Sequence, residues 1–423
     1  MLDLKRIRDD PESVRAALAR IGADDDLDAL LRLDARRREL LPEVEGLRAE
    51  RNEASDAIGL AKREGRDADA EIARMREVSG RIKQLEAELA DVEAERERLA
   101  ATLPNPPHPD APDGDSDEDA VVLREVGERP RFGFEVRDHL EIGRALGLID
   151  TEKAAEASGS RFAYLIGDLV LVELALIRLA VEITGRHGFK PVVPPVLVRE
   201  DALYGTGFFP GEREMIYEIP KDELFLVGTS EVSLAALHAG EIIDGDELPI
   251  RYAGISTCFR REAGAAGKDT RGIFRVHQFD KVEMFSFVRP EDADAEHRRL
   301  LAIEEEILGL LEVPYRVVDI AAGDLGAPAV RKFDCEAWIP SQERYRELTS
   351  TSNTTDYQAR RMNCRFRAAE GAAPEPVNTL NGTAAAVGRS LIAIIENHQQ
   401  EDGSVAVPEA LVERGAPAHL HSG

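Results

Sequence analysis

FRREAGAAGKDTRGIFRVHQFDK, residues 259–281, lies within a 423-residue chain whose formal net charge is −27. The stretch holds six Lys or Arg against three acids, gathered around a glycine-studded centre. CFRRE leads in, AGAAGKDTRG turns, and IFRVHQFDKVEMF leads out, which reads as strand, loop, strand. Alternate residues of a strand share a face. Arg260 and Glu262 then face one way, and Arg275, His277, Phe279, Lys281 and Glu283 share a face on the return. Antiparallel pairing predicts Arg260, Glu262, Arg275, Phe279 and Glu283 on one surface. That surface offers guanidinium groups for phosphates, an aromatic face for a base, and carboxylates for an ammonium or hydroxyl. A charged, solvated sheet face is the competing reading of the same residues.

Outward from this hairpin the pattern is mixed. FKPVVPPVLV, ELFLVGTSEVSLAAL, YRVVDIAAG, KFDCEAWIP and YRELTSTSN read as strands or strand ends, the second running into a helix. Residues 161–185, DADAEHRRLLAIEEEILGLL and AAAVGRSLIAIIENHQQ read as helices. Strands joined by turns without a regular βαβ rhythm predict an α+β fold on an antiparallel sheet flanked by helices.

Residues 27–100 differ from everything after them. Leu30, Leu33, Leu40, Val44, Leu47, Ala54, Ile58 and Ala61 recur in steps of three and four, with Arg37 and Arg51 filling two seam positions. Met75, Val78, Ile82, Leu85, Leu89, Val92 and Leu99 repeat the pattern, with Arg96 filling one. Two apolar stripes separated by the polar turn REGRDAD predict an antiparallel helical hairpin, a coiled-coil arm whose stripes bury each other. An oligomerisation coiled coil and an arm that touches a large partner are the two uses of such a hairpin, and Arg36, Arg37, Arg38, Arg48 and Arg51 suit phosphates in the second. Pro42 lies inside the first helix, and an interior proline predicts a bend or break near Leu41. The proline-rich and acidic run after the hairpin reads as a linker. The expected divisions are residues 1–103, with the arm at about 27–100, a linker at 104–119, and a second domain at 120–423.

Several classes are excluded. The acidity argues against broad, non-specific nucleic-acid binding. Cys258, Cys335 and Cys364 are scattered without a CxxC pair, which fits a reducing compartment and predicts no zinc site. The amino terminus lacks a signal-peptide apolar core, and charges interrupt the most apolar stretch, 162–183, so the expected location is cytoplasmic, with no membrane span. GAAGKD fails as a phosphate loop because Glu262 holds the first Gly position and Asp269 follows Lys268. GxGxxG after a strand, HExxH and GxSxG are absent.

FRREAGAAGKDTRGIFRVHQFDKVEMF resembles motif 2 of the class II aminoacyl-tRNA synthetases, in the form typical of seryl-tRNA synthetases. NGTAAAVGRSLIAIIENHQ resembles motif 3, with Arg389 as its arginine, and GFKPVVPPVLV resembles motif 1, which in the family lies at the dimer interface. GTSEVSL resembles the seryl-specific loop, YRELTSTSNTTDYQARRM the ATP- and magnesium-binding segment, and the hairpin the tRNA-binding arm. The resemblance runs from Met1 to about Pro408 in one order and spacing.

The resemblance implies a homodimer that activates L-serine with ATP to seryl-adenylate and transfers serine to tRNA-Ser, and by family habit to tRNA-Sec. A paralogue that activates serine outside translation is the alternative. By resemblance Arg260 holds the α-phosphate, Glu262 meets the adenine amino group, Arg275 the β- and γ-phosphates, Val276 and Phe279 the adenine, and Arg389 its other face and the γ-phosphate. Arg260 and Arg389 are the expected catalytic residues. Arg261, Leu348 and Thr349 fall within the ATP segments, and Glu347 and Ser350 are the expected ligands of Mg2+. The serine pocket implied is Thr229, Ser230, Glu231, Glu283, Asn381 and Thr383, with Glu231 for the ammonium and Glu283 for the hydroxyl. Lys268 and Arg271 are expected at the tRNA acceptor end, and His277 is expected to be structural. Ser230, Thr383 and Ala384 depart from the commonest family pattern, as does ELTS at 347–350, and they leave substrate breadth open.

Overall fold

The computed structural model describes residues 1–24, 26–263, 269 and 271–421. The chain divides into two compact units, Leu2–Pro104 and, with Met1, Asn105–Gly423. Among the described residues no helix is long and apolar enough to cross a membrane.

In the first unit α1 (Leu27–Arg63) and α2 (Asp69–Thr102) form the hairpin. Leu40, Val44 and Leu85 make one buried seam, and Ile58, Ala61 and Ala68 another near the turn. Arginines at the seam are paired across it: Arg37 Nε lies 2.7 Å from Glu93 Oε1, and Arg96 Nη1 lies 3.3 Å from Asp34 Oδ1. Arg8 and Arg38 also reach the buried Asp34 carboxylate. α1 runs through Pro42 as one continuous helix, so of the bend or break expected near Leu41 there is no break. Leu40 and Val44, on either side of the proline, are buried, and Glu43 and Arg48 pair with Arg81 and Glu86 of α2. Burial and pairing across the hairpin hold a helix whose own hydrogen bonding the proline weakens.

The second unit is built on an eight-stranded sheet. Its strands are β1 (Val121–Val126), β2 (Lys190–Val192), β3 (Ile250–Phe259), β4 (Gln278–Val288), β5 (Tyr315–Asp319), β6 (Arg331–Ile339), β7 (Arg344–Asn353) and β8 (Asn378–Ala386). The order is β1-β5-β6-β7-β8-β4-β3-β2, antiparallel except for the β2–β3 pair. Helices α3 (Asp168–Arg186), α4 (Ala293–Leu310) and α5 (Val387–Asn397) supply one continuous core with the sheet. Leu169, Val172, Leu176, Leu179 and Ile183 give α3 its apolar stripe at steps of three and four, all fully buried.

Alternation along β4 sorts the two sides of the sheet. Val282, Met284 and Val288 join the helical core, while Phe285 and Phe287 enter a second cluster with Leu234, Ala359 and Met362. Residues 105–112 are packed into the second unit: Asn105 N donates to Ala327 O at 2.7 Å, His108 N to Val330 O at 2.8 Å, and Ala111 is buried beside Val318 and Ile320.

Candidate functional site

A cavity of about 400 Å³ opens in the second unit, on the side of β4 opposite the helical core. Phe279, Lys281 and Glu283 of β4 line it, joined by Asn381 and Thr383 of β8. Glu283 pairs with Thr383 in the ladder, and Ala384 is the extra residue at a register shift beside them. The odd-numbered side chains of both strands therefore converge on one floor.

The basic wall is not formed as strand alternation suggests. β3 ends at Phe259 and β4 begins only at Gln278, so Arg260, Glu262 and Arg275 stand on loop backbone. The ladder is diverted. Arg260 N still bonds His277 O, but Arg261 N turns to Met215 O and His277 N to Arg161 O. Glu262 has φ +50°, a conformation uncommon outside glycine. The result brings Arg275 and its neighbour Val276 both to the cavity, which a regular strand forbids. Arg275 Nη1 lies 2.7 Å from Glu262 Oε2, and the Arg260 guanidinium lies 5.3 Å from the Phe279 ring centre. His277 holds the loop: its Nδ1 is 2.8 Å from Arg260 O, and its ring packs on Phe162.

A β-bulge brings in the next pair. Cys335 faces Thr349 and Glu336 faces Glu347, which leaves Leu348 as the extra residue. The slip lets Glu347 and Ser350, three apart, both line the cavity. Thr349 goes the other way and donates to the buried Glu304 carboxylate of α4 at 2.8 Å. Arg389 Nη1 reaches Glu347 Oε1 at 3.2 Å, and its guanidinium sits 4.7 Å from the Phe274 ring centre. Burial raises the Glu347 carboxyl, but Arg389, Lys332 and Arg260 outweigh it and hold it at about 2.

At the far end two buried carboxylates share one cation. Lys281 pairs with Glu283 and donates to Thr229 Oγ1 at 2.7 Å. Glu231 Oε1 accepts from Gln358 Nε2 at 2.7 Å and Asn381 Nδ2 at 2.9 Å. Burial and the neighbouring Glu283 push Glu231 up to about 7. Burial also raises Glu283, against the pull of Lys281. Such a pocket favours a ligand that carries a cation of its own.

Arg260, Glu262, Arg275, Val276, Phe279, Glu347, Leu348, Ser350, Arg389, Thr229, Glu231, Glu283, Asn381 and Thr383 thus meet around one cavity. Arg261, Thr349, Ser230 and Arg271 are not among its lining residues. Ser230 is fully buried, and its Oγ has no hydrogen-bond partner among the described residues. Arg271 is held by Asp138 Oδ2 at 2.7 Å and Glu141 Oε1 at 2.8 Å. Lys268 lies outside the described residues. Lys281, Phe274 and Gln358 belong to the site and were not among the expected residues. Lys281 carried a signal, since it alternates with Phe279 and Glu283. Gln358 lay within the quoted segment 345–362, but no periodicity pointed to its place beside Glu231, 127 residues away.

The cavity thus has a floor of buried carboxylates and a wall of arginines on an antiparallel sheet. Residues 216–398 match the tRNA synthetase class II core domain (G, H, P, S and T), and residues 1–107 match the seryl-tRNA synthetase N-terminal domain. The serine–tRNA ligase of Thermobifida fusca is 52% identical over 412 residues, 97% of this chain and 96% of that protein. The crystal structure of seryl-tRNA synthetase from Pyrococcus horikoshii complexed with ATP superposes with a TM-score of 0.94 at 40% identity, covering 100% of both chains. The cytoplasmic serine–tRNA ligase from Naegleria fowleri in complex with AMP gives 0.86 at 32% identity, over 97% of this chain and 96% of that one. The chain belongs to the seryl-tRNA synthetase family. It is an enzyme that activates serine with ATP and charges tRNA.

Proposed function

We propose that the cavity holds ATP and L-serine side by side, with the residues in the roles the motifs imply. The observation that carries this reading is the division of one cavity into an arginine wall and a carboxylate floor short of one cation. The serine ammonium supplies that cation to Glu231, and Glu283 accepts the hydroxyl. A site built to bond a hydroxyl discriminates against alanine, whose entry leaves the polar groups unpaired. A serine carboxylate oxygen attacks the α-phosphorus, the bond to the bridging oxygen breaks, and pyrophosphate leaves. A ribose hydroxyl of the tRNA terminus then takes the seryl group and AMP departs. Arg260 neutralises the α-phosphate, Arg275 the β- and γ-phosphates, and Arg389 the γ-phosphate, while Phe279, Glu262 and the Val276 backbone hold adenine. Positioning and charge neutralisation carry both steps, with no enzymic nucleophile.

Glu347 and Ser350 suit Mg2+. Together they offer an ionised carboxylate and a hydroxyl beside the phosphate wall, and magnesium takes few protein oxygens and completes its shell with water and phosphate. When bound, the ion adds positive charge at the phosphates.

Residues 1–103 act in this reading as the tRNA-binding domain, 104–119 as the linker, and 120–423 as the catalytic domain. Lys268 and Arg271 meet the acceptor end. The ion pairs of Arg271 are exposed, which makes them weak enough for phosphate to replace. tRNA-Ser is the substrate and tRNA-Sec a second one, in the cytoplasm. Exposed Leu171, Leu174, Val193 and Leu197 offer an apolar surface on and beside motif 1, which supports a homodimer. The long hairpin favours tRNA charging over the paralogue reading. Serine-dependent pyrophosphate exchange, screened across all amino acids, tests the site. Charging of tRNA-Ser before and after removal of residues 30–98 tests the arm. Exchange with serine alone, and charging lost while exchange persists, are expected. Absence of exchange with every amino acid would overturn the reading.

A further inference from the structure

The backbone that brings Phe274, Arg275 and Val276 to the cavity has left the sheet, and its anchor lies in a distant part of the chain. His139 begins the short helix His139–Ala145, whose N-cap Asp138 accepts from Glu141 N. The His139 ring is buried between two partners. Its Nδ1 lies 2.9 Å from Glu396 Oε1, and its Nε2 lies 3.2 Å from Ile273 N. The fully buried Glu396 also accepts from His139 N at 3.0 Å and Ser341 N at 3.1 Å.

One acceptor and one donor on the ring fix the tautomer. A carboxylate only accepts, so Nδ1 carries the proton, and Nε2 is left with a lone pair for the Ile273 N–H. Gly272 is what lets the imidazole approach this closely, since a side chain at that position would collide with the ring. Its φ is +73°, and a Cβ there would fall 2.0 Å from His139 Nε2. Gln399 ties the same segment down, accepting from Arg137 N at 3.0 Å and donating to Arg137 O at 3.1 Å. Glu396 sits on α5, whose first turn carries Arg389. One buried carboxylate and one imidazole thus connect the two elements that carry Arg275 and Arg389.

We propose that His139 is a positioning residue for ATP, which presents its Nε2 lone pair to Ile273 N–H and thereby sets the segment carrying Phe274, Arg275 and Val276. This rests on the reading that the cavity takes ATP. His139 touches no reacting atom. Its loss leaves a buried N–H unpaired and lets the segment shift, whereas the serine end of the cavity rests on β4, β8, Gln358 and the start of the helix Glu231–Ala235.

The test uses the full chain in serine-dependent pyrophosphate exchange. His139→Leu removes both ring bonds. His139→Gln sets an amide oxygen near the Nε2 position, and His139→Asn sets an amide N–H near the Nδ1 position, which keeps only the Glu396 bond. We expect His139→Leu and His139→Asn to raise KM for ATP about tenfold or more, with KM for serine within about twofold of wild type, and His139→Gln to recover most of the loss. An unchanged KM for ATP in His139→Leu, or equal rises for ATP and serine, overturns the proposal. If His139→Leu does not fold, the amide pair decides: a Gln variant no better than the Asn variant overturns it. Arg275→Ala and Arg389→Ala serve as controls on the site itself. If they leave KM for ATP unchanged, the ATP reading fails, whatever His139 does.

Discussion

Replacing Glu231 by Gln should stabilise the protein at alkaline pH while disabling serine binding. Glu231 is buried, and its pKa rises from the usual 4.5 to about 7 because burial and Glu283 both oppose its charge. The native state therefore holds more protons than the unfolded state between those values, and stability falls as pH rises through that window. Above pH 7 the cost is full, about 3 kcal/mol at 1.36 kcal/mol per pH unit. Gln keeps an oxygen for Gln358 and Asn381 and carries no charge. At pH 8 the serine-free variant should be more stable by about 3 kcal/mol, a melting rise of several degrees, and at pH 4 the two proteins should nearly coincide. Losing a charge-assisted bond to the ammonium costs about 1.5–3 kcal/mol, so KM for serine should rise about 10- to 100-fold. Denaturation of full-length protein at both pH values, with exchange kinetics at pH 8, measures both effects. A variant less stable than wild type at pH 8, a stability gain independent of pH, or an unchanged KM for serine would refute the argument.

Three further outcomes are expected. Lys281→Met strands Glu283 without its cation, which should cost about 3 kcal/mol of stability and raise KM for serine about tenfold or more, with KM for ATP nearly constant; equal changes in both constants would contradict this. Since the ammonium needs an ionised Glu231, KM for serine in the wild type should fall as pH rises from 6 to 8 and level off above, and a flat profile would count against the assignment. Pro42→Ala restores a missing helical donor inside α1, so the hairpin should gain up to about 3 kcal/mol with pyrophosphate exchange unchanged, and a lower melting temperature would show that the proline is accommodated without cost.

The hairpin was legible because its physics is local. A repeat of three and four puts Leu40, Val44, Ile58 and Leu85 on stripes that nothing else in the segment covers. The unbroken helix at Pro42 shows the limit of that logic, since burial on both sides of the proline outweighs a local propensity to break. Phe279, Lys281 and Glu283 were legible on the same principle, being alternate residues of a true strand. The motif residues around the cavity were named by resemblance, which supplies identities without geometry. Arg260, Glu262 and Arg275 reached the cavity by a route that alternation misdescribes, because the ladder closes at His277 and loop backbone carries them.

By itself, then, the sequence determined the period of each element, the chemistry of the motif residues and the family they mark. The tertiary structure decided everything that depends on which distant groups share low-dielectric space. A bulge at Leu348 chose Ser350 over Thr349 for the cavity. Gln358 came to Glu231, and Glu396 to His139, across separations no periodicity reports. Burial and the proximity of Glu283 gave Glu231 its raised pKa. Those effects exist only once the chain is closed, since a buried carboxylate takes its pKa from its neighbours in space.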